Sequence, residues 1–423
     1  MSQPEYIPRL IERELSGHLD ALGAILIVGP KWCGKTTTAK RYAKSILDLQ
    51  DEDQLENNML IAEQKISLLL KGENPRLIDE WQAIPRLWDA VRHEVDRRNE
   101  PGLFILTGST TVDNNSIKHS GAGRISRLKM GTMSLYEQGL STGEVSIGSL
   151  FAGTADVSGS SKLGYSELAE AVVRGGWPAS VGITMEQASR QISAYCTAIT
   201  ESEISSADGK QRDSTRSELI LRSLSRGLSS PVNNSAVEAD ISKLSDTSMH
   251  RNTVSDYIRA LEKIHVVDDL PAWCPNLRSR TAIRTAPTRH FADPAIAAYF
   301  LNAFPEDIEY DPRTFGLLFE SMAVRDIRVY AQALGGKVYH YRDGDDLEAD
   351  AVVHLSNGRW GAFEIKLGSR AIDAAAENLK KLRGKVDTER EHPPSFLAVI
   401  TGTEYAYRRD DGVSVIPLGC LKD

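Results

Sequence analysis

The chain has 423 residues, 41% of them hydrophobic and 26% charged, with Lys plus Arg at 50 against Asp plus Glu at 58. Such a composition excludes wholesale disorder and fibrous repeats, and its length suits two to four domains. The net charge of −8 argues against a uniformly basic protein but leaves room for a local basic patch. Cys33, Cys196, Cys274 and Cys420 form no CxxC pair, so neither a zinc cluster nor a disulfide framework is expected. No apolar run, Ala24 to Val28 among them, is long enough for a membrane span, and the acidic first residues lack the apolar core of a secretion signal. A reducing cytoplasm and no membrane partner are therefore expected.

Residues 24–29, AILIVG, read as a buried strand, and 35–46 as a helix. Residues 75–81 and 103–109 are two further strand-like runs, separated by a helical pattern over 84–98 with Leu87, Ala90, Val91 and Val95 at helical spacing. Residues 124–134 offer another strand. Strands alternating with helices predict parallel βαβ units in a doubly wound α/β sheet. The Gly/Ser-rich stretch 147–164 reads as a linker or surface loop, and 165–208 as helical, broken at Gly175, Gly176 and Pro178. Residues 216–228, 236–244 and 250–267 read as three amphipathic helices before a strand-like run, the pattern of a winged helix-turn-helix. The rest predicts a mixed α/β domain: helices at 316–334 and 371–385, strands at 337–342, 348–355, 359–366 and 395–401.

Gly29-Pro30-Lys31-Trp32-Cys33-Gly34-Lys35-Thr36 fits GxxxxGK[ST] after a strand and before a helix. Such a loop turns its N–H groups around phosphate, and the helix N-terminus adds positive potential. Lys35 is expected to reach the β- and γ-phosphates of ATP, Thr36 to meet Mg²⁺, and Thr37 to follow in the same turn. Asp79, closing the strand Leu77-Ile78-Asp79, is the second expected Mg²⁺ contact, and Glu80 the carboxylate that polarises water. Thr107 and Ser109 end the next strand on the ligand side. Arg124, Arg127 and Arg174 are candidates for a cationic finger, with Arg124 preferred.

The strings ILIVGPKWCGKTT, LIDEWQ, FILTGST, AGR and GGWP, with FADPAIAAYF, GLLFESMAVRDI and EIKLG further on, resemble a prokaryotic family of AAA-like P-loop ATPases with a C-terminal domain of unknown function. The resemblance implies an ATPase core, a winged-helix-like middle and a restriction-endonuclease-like (PD-(D/E)xK) tail; with the pattern along the chain, the expected domains are the core at 1–150, a helical lid at 151–210, the winged-helix-like domain at 211–300 and the nuclease-like domain at 301–423. It also implies ATP as the nucleotide. Self-association into a ring is common among such ATPases.

In the last region Asp350, Glu364 and Lys366 match the D…ExK pattern, with Glu320 on the preceding helix and Glu348 two residues before Asp350. Alternation places Glu364 and Lys366 on one strand face. In nuclease-like domains such carboxylates hold Mg²⁺ beside a scissile phosphate while the lysine orients water. Residues 211–300 carry 12 Lys/Arg against 10 Asp/Glu, whereas 301–423 carry 16 against 21. The middle region is thus the more basic of the two, and DNA contact is expected through it and through the nuclease-like domain. Asn252, Thr253 and Ser255 open its third helix, and Arg278, Arg280, Arg284, Arg289 and His290 lie in a stretch without acids. Trp273 there suits core packing better than stacking. The expected function is a Mg-dependent ATPase acting on DNA. The alternative is an ATP-driven switch whose C-terminal domain is an inactive protein-interaction module.

Overall fold

The computed structural model describes residues 6–108, 121–244, 249–274, 286–345, 347–386 and 392–423. After α1 (Glu12–Ala21), β1 (Ala24–Val28) enters the phosphate loop and α2 (Lys35–Tyr42) leaves it. β2 (Ser45–Asp48), α3 (Glu52–Lys65), β3 (Arg76–Asp79), α4 (Leu87–Arg98), β4 (Phe104–Gly108) and β5 (Ile125–Lys129) complete an all-parallel sheet ordered β2-β3-β4-β1-β5. Alternation along β1 explains its two coats. Ala24 and Leu26 join Trp88, Val91 and Val95 of α4 on one side. Ile25 and Ile27 join Leu15 and Leu19 of α1 on the other.

Two expectations are corrected here. The helix expected over 35–46 ends at Tyr42, because Ser45–Asp48 forms the edge strand β2 beside β3. The expected linker 147–164 is a seam. β6 (Val145–Ser146) pairs in parallel with Leu421 and Lys422, α5 (Ile147–Ala152) follows, and β7 (Gly159–Ser160) joins Tyr405 and Ala406.

Next come α6 (Tyr165–Arg174) and α7 (Met185–Ala198), a π turn at Ile199–Glu203 and the short α8 (Ile204–Ser206). α9 (Ser214–Arg226), α10 (Asn234–Leu244) and α11 (Arg251–Lys263) are three packed helices, followed by antiparallel bridges Val267 to Phe291 and Leu270 to Thr288. Arg212 joins these groups: its guanidinium donates to Asp208 at 2.7 and 3.0 Å and to Asp256 of α11 at 2.9 Å. Those bonds hold the Asp208 carboxyl down at about 2. Unfolded aspartate sits near ~3.9, so the unfolded chain takes up the proton first as pH falls. This stabilisation is complete above about pH 4 and is lost toward pH 2. In urea unfolding, wild type and Asp208→Asn are expected to differ at pH 7 and converge near pH 2; a difference independent of pH would contradict the pairing.

The C-terminal part runs α12 (Pro294–Phe300), α13 (Pro305–Tyr310), α14 (Pro312–Ala333), β8 (Gly336–Arg342), β9 (Glu348–Leu355), β10 (Trp360–Lys366), α15 (Ile372–Lys385), β11 (Leu397–Thr401), β12 (Tyr405–Arg408), β13 (Ser414–Pro417) and β14 (Leu421–Lys422). Its sheet is ordered β7-β12-β13-β11-β10-β9-β8. β8, β9 and β10 are antiparallel, whereas β11 crosses over through α15 to lie parallel to β10. Phe363 and Ile365 of β10 face the core built on α14. Trp360 and Ala362 face Leu379 and Leu382 of α15. The α14-side core is continuous with α6, α7, α9 and α11, so the helical middle and the C-terminal sheet share one interior.

Candidate functional site: a phosphate loop roofed by aromatic rings

The phosphate loop is held from three sides. Gly29 has φ +152°, and a Cβ there would stand 2.0 Å from the Met130 carbonyl oxygen, so no other residue fits. The Cys33 thiol is buried and donates to that same carbonyl at 3.4 Å. From below, the buried Arg9 guanidinium donates to the Cys33 carbonyl at 2.7 Å, to the Gly131 carbonyl at 3.0 Å and to Glu137 at 3.0 Å.

Lys35 Nζ donates to the carbonyls of Gly29 and Pro30 at 3.0 and 2.8 Å, folded back over the loop it serves. The Thr36 hydroxyl donates to Asp79 Oδ1 at 2.9 Å, and Thr107 donates to the same oxygen. Two strand-end residues, Asp79 and Thr107, thus converge with Thr36 of α2 at the sheet's carboxyl edge. Hard oxygen donors of this kind suit Mg²⁺, which takes few protein ligands and completes its shell with phosphate and water. Glu80 follows Asp79 in a left-handed conformation, φ +52°, and accepts from the Gln82 amide. Burial raises its carboxyl above the ordinary value, against the Gln82 hydrogen bond and the Lys35 charge, which lower it.

A cavity of about 720 Å³ opens from Gly34, Lys35, Thr36 and Thr37 past Glu80 to Trp177 and Tyr195. Lys31 is drawn to its far side, bonded to Glu203 at 2.7 Å, while its carbonyl accepts from Trp177 Nε1 at 3.2 Å. Trp177, Tyr195, Gln82 and Arg9 belong to the site although the motifs do not single them out. Only GGWP, which contains Trp177, and LIDEWQ, which ends in Gln82, carried a signal.

None of the three finger candidates reaches this chain's own phosphate loop. Arg124 precedes β5 at the opposite end of the sheet, where its backbone carbonyl accepts from Ala24, and it pairs with Asp96 at 2.6 Å. Arg127 lies over the Trp88 ring, and Arg174 donates to the carbonyls of Ser180 and Ile183. Ser109 lies outside the described residues, as do Arg278, Arg280 and Arg284.

Of the other residues expected to meet DNA, Asn252 is exposed and Thr253 half-buried at the start of α11. The Ser255 hydroxyl is taken up by Asn234 and the Arg251 carbonyl. Arg289 and His290 do not form a basic surface. Both are buried, Arg289 holding Asp269 and Asn234, and His290 facing Ser321. Trp273 is buried against Trp360, ring centres 4.6 Å apart.

The C-terminal cluster does assemble. Lys366 Nζ lies 2.7 Å from Glu364 and 3.0 Å from Asp350, whose carboxylate also accepts from the Ile365 N–H at 2.7 Å. Asp350 and Lys366 line a cavity of about 290 Å³ together with Glu320, Glu348, Ser229, Ser230 and Pro231. Burial, and next the Asp350 charge, push Glu364 up to about 8 and Glu320 well above the carboxylate range. The same carboxylates hold Lys366 above its usual value against burial. Among the described residues no three His, Cys, Asp or Glu side chains stand close enough to hold a metal ion. Here the ammonium of Lys366 stands between the Asp350 and Glu364 carboxylates.

A parallel sheet of order β2-β3-β4-β1-β5 with this loop and strand-end acid defines an AAA-like P-loop ATPase domain in the first part of the chain. Residues 22–138 match the family model of an AAA domain. Residues 165–307 and 315–421 match two domains of unknown function, DUF8612 and DUF4143. The chain is 23% identical over 410 residues to uncharacterized protein Mb2031c of Mycobacterium bovis and to uncharacterized protein Rv2008c of Mycobacterium tuberculosis, with 93% of this chain and 79% of each relative covered. Among solved structures, the Walker-type ATPase paby2304 of Pyrococcus abyssi is similar at 14% identity and TM-score 0.43, covering 71% of this chain and 99% of that one. A RuvB variant of Thermotoga maritima is similar at 17% identity and TM-score 0.28, covering 62% and 89%. Among the described residues no helix is long and apolar enough to cross a membrane.

Proposed function

We propose that the chain is a Mg-dependent ATPase that acts on DNA through its C-terminal cleft. The observation that carries the ATPase reading is the convergence of Thr36, Thr107 and Asp79 beside the Gly29–Thr36 loop. The loop N–H groups bind the phosphates, and Lys35 leaves its carbonyl partners to meet the transferred phosphoryl group. Thr36 and Asp79 would hold Mg²⁺, which would supply neutralisation of phosphate charge. Glu80 orients the attacking water, with Gln82 fixing its rotamer.

DNA as the partner is supported by the cleft at Lys366. Burial and the Asp350 charge raise the Glu320 and Glu364 carboxyls, which lessens the negative charge the cleft presents to a phosphodiester. Lys366 is the cation that would grip it, and no metal step is assigned there. Asn252 and Thr253 of α11 are the remaining candidates for DNA contact among the described residues. A cytoplasmic site of action and self-association, with Arg124 reaching a neighbouring copy, belong to the same proposal.

ATP turnover measured with single-stranded, duplex and branched DNA tests the reading. Stimulation by at least one, fading as salt rises, is expected. Any strand cleavage is expected to vanish in Lys366→Ala while ATP turnover stays. If no DNA alters turnover, the chain is an ATP-driven switch with an interaction module at its end. Cleavage that survives Lys366→Ala would move the active cleft elsewhere.

A further inference from the structure

The phosphate loop carries a residue that its backbone does not favour. Trp32 has φ +65°, a left-handed conformation in which a bulky side chain is an outlier. Such strain persists where the surroundings over-determine it, and it collects at ligand clamps. The Trp32 side chain is also among the most exposed large apolar groups of the protein, at 57%, although it sits in the mouth of a cavity.

The reason lies in what it extends. Trp177 and Tyr195 are buried with ring centres 5.1 Å apart, and Trp32 continues the row, 5.6 Å from Tyr195. Three tilted rings thus run from the interior to the cavity, and the last has an open face. The cavity is polar at Lys35, Thr36 and Glu80 and apolar at Trp32, Trp177, Ile192 and Tyr195. A nucleoside triphosphate has that same division. With its phosphates in the loop, its base falls at the aromatic end, where a planar π-system adds a further layer to the row.

We propose that Trp32 is the base-stacking residue of the nucleotide site, joining the phosphate loop to the lid helix α7 through Tyr195. The proposal rests on the reading of Gly29–Thr36 as a triphosphate site and adds the subsite for the aromatic base. Affinity for the nucleotide then divides between a phosphate end, which Lys35 serves, and a base end, which Trp32 serves.

Calorimetric titration with Mg-ATP and with Mg-tripolyphosphate, which has no base, separates the two ends. Trp32→Gly removes the ring while supplying a residue that adopts φ +65° freely, so the loop keeps its path. It is expected to weaken ATP on the order of tenfold, the size of one base–aromatic stack, and to leave tripolyphosphate within about twofold of wild type. Trp32→Phe keeps a stacking face and is expected to restore most of the ATP affinity. Lys35→Ala is expected to weaken both ligands. Unchanged ATP affinity in Trp32→Gly, or equal loss for ATP and tripolyphosphate, would overturn the stack while leaving the phosphate site standing. If Lys35→Ala keeps wild-type affinity for both ligands, or wild type binds neither, the triphosphate reading fails and the stack fails with it.

Discussion

Lys35→Ala is expected to lower kcat/KM for Mg-ATP on the order of 10²–10³-fold, the usual cost of removing one preorganised charge donor from a phosphoryl-transfer site. In the folded chain Lys35 is buried and, among the described residues, its hydrogen bonds go to the carbonyls of Gly29 and Pro30. Those contacts lie within the loop and are not what keeps the sheet together. The variant is therefore expected to fold, with phosphate release near background. Activity within a fewfold of wild type would remove Lys35 from the reacting phosphates.

Arg325→Met is the substitution with the largest expected effect on stability. Arg325 is buried between Asp326, at 2.7 and 2.9 Å, and Asp293, at 3.1 Å. Asp293 also accepts from the Gly176 N–H and the Thr132 hydroxyl, and Asp326 from the Leu135 N–H. Glu137, two residues on, accepts from Arg9, which holds the Cys33 carbonyl in the phosphate loop. Buried polar contacts therefore run from the loop through 132–137 to α14, the helix that carries Glu320 to the second cleft. Removing the guanidinium strands two carboxylates in the interior, and breaking a buried pair in this way costs about 3–5 kcal/mol. The denaturation midpoint should fall accordingly, and Asp326→Asn added to Arg325→Met should recover part of the loss. A shift equivalent to less than about 1 kcal/mol would mean that water reaches these carboxylates.

The ATPase core was legible because its signals are local. A run such as AILIV, buried on both faces, cannot be much other than a central strand, and the glycine pattern needs only eight consecutive residues. β2 escaped because Ser45-Ile46-Leu47-Asp48 is short, sits at the edge with Ile46 exposed, and continues the helical pattern of the residues before it. The seam of β6 and β7 escaped for a different reason. Val-Ser and Gly-Ser carry no strand signal of their own and become strands only because distant segments near the C-terminus pair with them.

The same division holds at the two clefts. Asp79 and Glu80 follow from a strand end, and Lys366 meets Glu364 through simple alternation. The aromatic roof depends on α7 folding over the loop, which no spacing records. Burial of Arg289, Arg325 and Arg9 runs against the general preference of arginine for solvent, and each has a carboxylate partner brought from elsewhere in the chain.

The central claim is that a nucleoside triphosphate binds at Gly29–Thr36. The most direct measurement is a crystal structure of the chain grown with Mg²⁺ and a nonhydrolysable ATP analogue. The account expects the phosphates inside the loop, with Lys35 Nζ turned from the Gly29 and Pro30 carbonyls onto them and Asp79 beside the cation. An analogue bound elsewhere, with Lys35 still folded onto its own loop, would contradict it.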